Sequence, residues 1–141
     1  MLLILAACLA PPVPVDPPEG PPIACTLIGC ESQLRFDLSA DLVRGEAYDI
    51  EACVDGDCTS ETVQVPDSGF VIGGAITLDA DRDTVTVRLI GDDYSGMHTV
   101  SLSVAGEGGL VAEVKRATDF ERSQPNGPGC EPVCWHATVR A

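Results

Sequence analysis

Seven cysteines stand in a chain of 141 residues: Cys8, Cys25, Cys30, Cys53, Cys58, Cys130 and Cys134. A thiolate can hold a metal, attack an electrophile or pair oxidatively with a second thiol. Cys130-x3-Cys134-x-His136 brings three candidate zinc ligands together, but its spacing departs from the paired Cys-x2-Cys knuckles of structural zinc sites. Cysteines this dense in a short chain point instead to disulfide staples formed in an oxidising compartment. The two histidines, His98 and His136, both fall in stretches of alternating polarity, where an imidazole faces solvent or takes part in hydrogen bonds. Ser95 lies close before His98, yet no Gly-x-Ser-x-Gly elbow and no His-Glu-x-x-His pair accompany them. Asp79-x-Asp81-x-Asp83 has the opening spacing of a calcium loop, but Thr84 stands where the loop needs glycine and Ile90 where it needs glutamate. A solvated turn is expected there. No catalytic residue, no metal site and no cofactor is expected.

The odd cysteine count leaves one thiol outside any set of pairs. The six that follow Cys8 allow 15 connectivities. Asp55-Gly56 is a dipeptide favoured in two-residue type I′ hairpins. Such a turn sets Val54 opposite Asp57 and Cys53 opposite Cys58, in a non-hydrogen-bonded position whose Cα atoms approach to about 4.5 Å, so that a disulfide fits. The other four cysteines form two clusters at opposite ends of the domain. Matching the clusters in antiparallel sense pairs Cys25 with Cys134 and Cys30 with Cys130. The local pairs Cys25–Cys30 and Cys130–Cys134 remain open as an alternative.

The seventh cysteine has its own context. Residues Met1 to Cys8 read MLLILAAC, and Leu2–Ala7 is too short an apolar run to span a bilayer core of roughly 30 Å as a helix. Leu5-Ala6-Ala7-Cys8 resembles the lipobox of bacterial lipoproteins. That resemblance implies a signal peptide over residues 1–7, cleavage before Cys8, and a diacylglyceryl group on the Cys8 thiol. The segment carries no Lys or Arg before its apolar run, so the signal peptide is expected to be truncated. Pro11, Pro12, Pro14, Pro17, Pro18, Pro21 and Pro22 then exclude helix and central strand and favour polyproline II. At about 3.1 Å per residue, residues 8–22 would form a stalk holding a domain roughly 40 Å from the lipid.

From residue 23 to 141 the texture is that of one β domain. Leu34, Phe36 and Leu38 alternate with polar residues. So do Tyr48, Ile50, Ala52 and Val54, then Val85, Val87 and Leu89, then Val100, Leu102 and Val104, and finally Trp135, Ala137 and Val139. Phe70–Leu78 is more continuously apolar, which fits either a strand buried on both sides or one bulged at Gly73-Gly74. Asp55-Gly56, Asp79–Asp83, Gly91-Asp92-Asp93 and Gly106–Gly109 supply the turns. Seven or eight short strands at this spacing predict an all-β antiparallel sandwich of immunoglobulin-like class. Its core should include Leu34, Phe36, Ile50, Val87, Leu89, Leu102 and Trp135. The segment Pro125–Cys134 resembles the C-terminal tail of small exported bacterial proteins, a likeness that implies class and no activity.

A formal charge of −14, from 22 acidic and 8 basic residues, argues against nucleic acid as a partner, because phosphate backbones are repelled. The expected protein is a lipoprotein held at the extracytoplasmic face of the cell membrane through Cys8. It would present a non-catalytic binding domain to an envelope protein or ligand. The alternative is an accessory or structural subunit of an envelope complex or, further off, a hydrolase whose site is built from loops.

Overall fold

The computed structural model describes residues 24–91 and 93–141; the lipobox, Cys8 and the proline-rich segment lie outside the described residues. Ten strands run through the described chain: β1 (Gln33–Asp37), β2 (Ala47–Val54), β3 (Asp57–Gln64), β4 (Phe70–Ile72), β5 (Ile76–Asp79), β6 (Thr84–Arg88), β7 (Met97–Gly106), β8 (Gly109–Asp119), β9 (Glu121–Ser123) and β10 (Cys134–Arg140). They form a six-stranded sheet in the order β4-β5-β6-β1-β10-β9 and a four-stranded sheet in the order β3-β2-β7-β8. Period-2 alternation drives both, since residues i and i+2 share a face and the apolar set turns inward. Leu34 and Phe36 of β1, Ile76 and Leu78 of β5, and Val85 and Val87 of β6 line the inner face of the larger sheet. Tyr48 and Ile50 of β2 and Val100, Leu102 and Val104 of β7 line that of the smaller sheet, and all join one core cluster.

The hairpins follow local chemistry. Asp55 and Gly56 both take positive φ, 50° and 91°, as a type I′ turn requires. Gly106 pairs with Gly109 across a two-residue turn between β7 and β8. A Cβ on Gly106 would sit 2.8 Å from the buried Tyr48 ring, so close packing there excludes a larger residue. Gly73-Gly74 does not bulge one strand but divides the apolar run into β4 and β5. Glu61 of β3 crosses from the other sheet to hold this turn, its carboxylate accepting the amides of Gly74 (2.8 Å) and Ala75 (2.6 Å). That division and the short β9 account for ten described strands where seven or eight were expected.

The purely antiparallel expectation needs correction. β1 and β10 pair in parallel, with Gln33 opposite His136 and Asp37 opposite Arg140. The larger sheet is therefore mixed. The same fact corrects two disulfides: Cys25 bonds Cys130 and Cys30 bonds Cys134, not Cys25–Cys134 and Cys30–Cys130. Cys25 and Cys30 precede β1, Cys130 precedes β10 and Cys134 is its first residue, and strands that run the same way match first with first and second with second. The separations of 105 and 104 residues stay close to the offset that sets Gln33 opposite His136. Cys53–Cys58 forms as the hairpin predicts, with Cα atoms 4.0 Å apart. Leu89 falls one residue beyond β6 and packs against the core only partly buried, unlike the other expected core residues.

Between the two long-range bridges, Asn126 does the work of a strand. It is only 8% exposed, yet both ends of its amide are satisfied. Its Oδ1 accepts from the Thr26 hydroxyl (2.5 Å) and the Ile28 amide (2.9 Å). Its Nδ2 donates to the carbonyls of Ile28 (2.9 Å) and Glu131 (2.6 Å).

Once either long-range bridge is closed, the other closes only a short ring. The large loop, worth about 4.7 kcal/mol in the chain-entropy model, is therefore counted once. Cys25→Ser with Cys130→Ser, or Cys30→Ser with Cys134→Ser, should each cost about 3 kcal/mol. Removing both bridges should cost more than the two losses added, as urea denaturation of the three variants will show.

Candidate functional site: an acidic cleft at one end of the sheets

The clearest concavity, about 360 Å³, opens where β2, β6 and the loop before β7 come together. Its apolar lining includes Leu34, Ala52, Val54, Val87 and Leu89, and its polar lining carries three carboxylates, Asp55, Asp57 and Asp93, with Tyr94, His98 and Arg88. Two loops position most of this polar lining. Asp55 occupies the first turn position of the β2–β3 hairpin, where its backbone N–H donates to the Thr99 carbonyl at 2.8 Å. Its Oδ1 accepts the Thr99 amide at 2.8 Å, so the turn is tied to β7 through backbone and side chain together. In the β6–β7 loop the Tyr94 hydroxyl donates to the Ile90 carbonyl at 2.7 Å, and Asp93 accepts the Ser95 amide at 2.8 Å.

His98 joins the two loops. Its Nδ1 lies 2.6 Å from Asp55 Oδ2 and its Nε2 lies 3.1 Å from the Ser95 carbonyl. Both neighbours can only accept, so the imidazolium is the one form that satisfies both. The Asp55 carboxylate bonded to it raises the His98 pKa above its ordinary 6.5, against a smaller opposing effect of desolvation. The same bond, with the Thr99 amide, lowers Asp55 below its ordinary 3.8. Hydrogen bonds from Ser95 lower Asp93 likewise. Burial, and then the charge of Asp57, raise Tyr94 above 10.0. Tyr94, His98 and Phe120 pack as a three-ring cluster with centroids 5.4–5.9 Å apart, which fixes the imidazole plane.

This arrangement cannot do base catalysis in the manner of a Ser–His pair. The Ser95 group that meets His98 is a backbone carbonyl, and both ring nitrogens are already engaged. What the cleft offers is an apolar floor beside carboxylates, of which Asp55 and Asp93 are held below their ordinary pKa by hydrogen bonds. The calcium-like run is not convergent: Asp79 accepts the amides of Asp81 and Arg82, Asp81 pairs with Arg44 at 2.8 Å, and Asp83 accepts the Leu42 amide at 3.1 Å. Each carboxylate serves its own turn. The zinc-like set is likewise spent, because Cys130 and Cys134 are in different disulfides. Glu51 approaches the sulfurs of Cys53 and Cys58 within 4.8 Å, but these too are joined to each other and offer no thiolate.

Sequence reasoning found Asp55 only as a turn residue and His98 only as a strand residue. Asp93 was visible only as part of the Gly91-Asp92-Asp93 turn and Tyr94 not at all, since their roles arise when a loop folds over a hairpin from another part of the chain.

The titration of this latch has a defined sign. His98 contributes stability that is complete below 6.5 and lost as pH rises through its raised folded value. Asp55 contributes stability that is complete above 3.8 and lost as pH falls through its lowered folded value. The latch is therefore fully formed between those limits. In an NMR titration His98 should protonate above 6.5, and Asp55→Asn should bring its midpoint back down. An unchanged midpoint in Asp55→Asn would refute the pairing.

No protein-family model, curated protein or solved structure matches this chain, and its function has to be read from its own residues.

Proposed function

We propose that the protein is an exported, lipid-anchored binding module of the bacterial cell envelope, attached through Cys8 at the extracytoplasmic face of the membrane. The observation that carries this reading is the cysteine pairing. Cys25, Cys30, Cys53, Cys58, Cys130 and Cys134 are all consumed in three disulfides, so Cys8 alone is left for another chemistry. Three disulfides belong to an oxidising compartment. The lipobox-like Leu5-Ala6-Ala7 before Cys8 and the prolines after it fit an acylated cysteine on a stalk.

The domain on this stalk is read as an immunoglobulin-like sandwich. The order β3-β2-β7-β8 corresponds to C′-C-F-G of a variable-type domain, and β10-β1-β6-β5 to A-B-E-D. Here the A position is filled from the C-terminus by a parallel strand. The B and F positions, β1 and β7, carry no cysteine, so the staples lie elsewhere than in antibody domains.

The module binds rather than catalyses. The cleft has the size and apolar floor of a ligand site, while its only histidine is held as an imidazolium between two acceptors. Its carboxylate rim suits a ligand with a cationic head and an apolar stem, such as a basic side chain of an envelope protein. An accessory role within an envelope complex is this same binding with a permanent partner.

Mass spectrometry of the native protein should find a mature N-terminus at Cys8 carrying diacylglycerol. Cys8→Ala should abolish partition into the detergent phase and leave the folded domain unchanged. Native protein that is soluble with an unmodified Cys8 thiol rules the reading out.

A further inference from the structure

The smaller sheet ends on β8, an eleven-residue strand with no strand beyond it among the described residues. Most of it is exposed, including Leu110 (58%) and Val111 (39%). Its hydrogen-bonding phase follows from the β2–β3 turn. Val54 and Asp57 close a two-residue hairpin and therefore exchange backbone bonds with each other, which turns the odd residues of β2 toward β7. The Asp55 amide bonded to Thr99 continues that alternation. Carried across β7, the same phase makes Leu102–Val114 and Val100–Arg116 bonded pairs. The N–H and C=O groups of Glu113, Lys115 and Ala117 are then left pointing to the open edge.

We infer that this edge pairs with the β8 edge of a second copy of the chain, antiparallel, about a two-fold axis through Val114. The register is selected by charge. With Val114 opposite Val114, Glu113 of each copy faces Lys115 of the other, twice over, and both positions present free backbone groups. Sliding the pairing so that it centres on residue 113 sets glutamate against glutamate. Centring it on 115 sets lysine against lysine, and centring it on 116 sets Glu113 against Asp119. Opposite charges across a ladder stabilise and like charges destabilise, so only one of these registers is favourable. Within the monomer the β7 neighbours of Glu113 and Lys115 are Ser103 and Ser101. Neither charge has an ion-pair partner among the described residues. A two-fold contact of this kind closes on itself and joins two four-stranded sheets into one of eight.

Sedimentation of the full chain, with Cys8→Ser to remove the seventh thiol, tests this. The parent should show a concentration-dependent dimer. Lys115→Glu should weaken it at least about tenfold, since two attractions become two repulsions. The double variant Glu113→Lys with Lys115→Glu should restore it, because the swapped charges face each other in the same register. Val114→Cys, on the axis, should form an intermolecular disulfide on oxidation. A chain that stays monomeric at all concentrations overturns the proposal. So does a double variant no better than the single one, or a dimer that Val114→Cys does not cross-link.

Discussion

The parallel pairing of β1 with β10 is the constraint on which the rest of this domain depends. The two strands lie at opposite ends of the described chain, so their pairing closes a loop that contains nearly all of the domain. Such a pairing carries a large loop-closure cost and cannot be nucleated by a turn. Without β10, β1 would be an edge strand, and Leu34 and Phe36 would lose Ala137 and Val139 as neighbours along the sheet. Two disulfides and the Asn126 amide are concentrated at the start of these strands, Cys134 being the first residue of β10, and there they hold the register. The domain has few aromatic residues with which to enlarge its core. Reducing the entropy of the unfolded chain is a physical alternative to burying more surface.

Polar groups join the two sheets at their flanks while the apolar faces meet between them. On the β3 side, Glu61 spans to the β4–β5 turn and satisfies two amides that no strand neighbour reaches. On the β8 side the chain itself crosses, and Phe120 at the crossing enters the ring cluster with Tyr94 and His98. The cleft is thus framed by the same contacts that close the fold. It opens at the end where β1 and β10 begin, the end at which the chain enters the domain through Cys25. An anchored chain would present its carboxylate rim on the side of its stalk.

Local sequence determined everything whose cause lies within a few residues. Alternation placed β1, β2, β6, β7 and β10, because side-chain period alone sets which face of a strand is apolar. Asp55-Gly56 determined a turn, and the turn placed Cys53 opposite Cys58, because a two-residue loop leaves one register. The Gly73-Gly74 signal was visible as an interruption, but whether it bulged a strand or ended it depended on Glu61, a residue of the opposite sheet. The direction of β10 relative to β1 could not be read from either strand, since a pleated segment looks the same to a parallel or an antiparallel neighbour. The pairing of Cys25, Cys30, Cys130 and Cys134 inherited that ambiguity. The cleft was decided last of all: Asp55, Tyr94 and His98 each obey local rules in sequence. Their shared charge state exists only because tertiary packing lays the β6–β7 loop across a hairpin some forty residues earlier and leaves the imidazole between two acceptors.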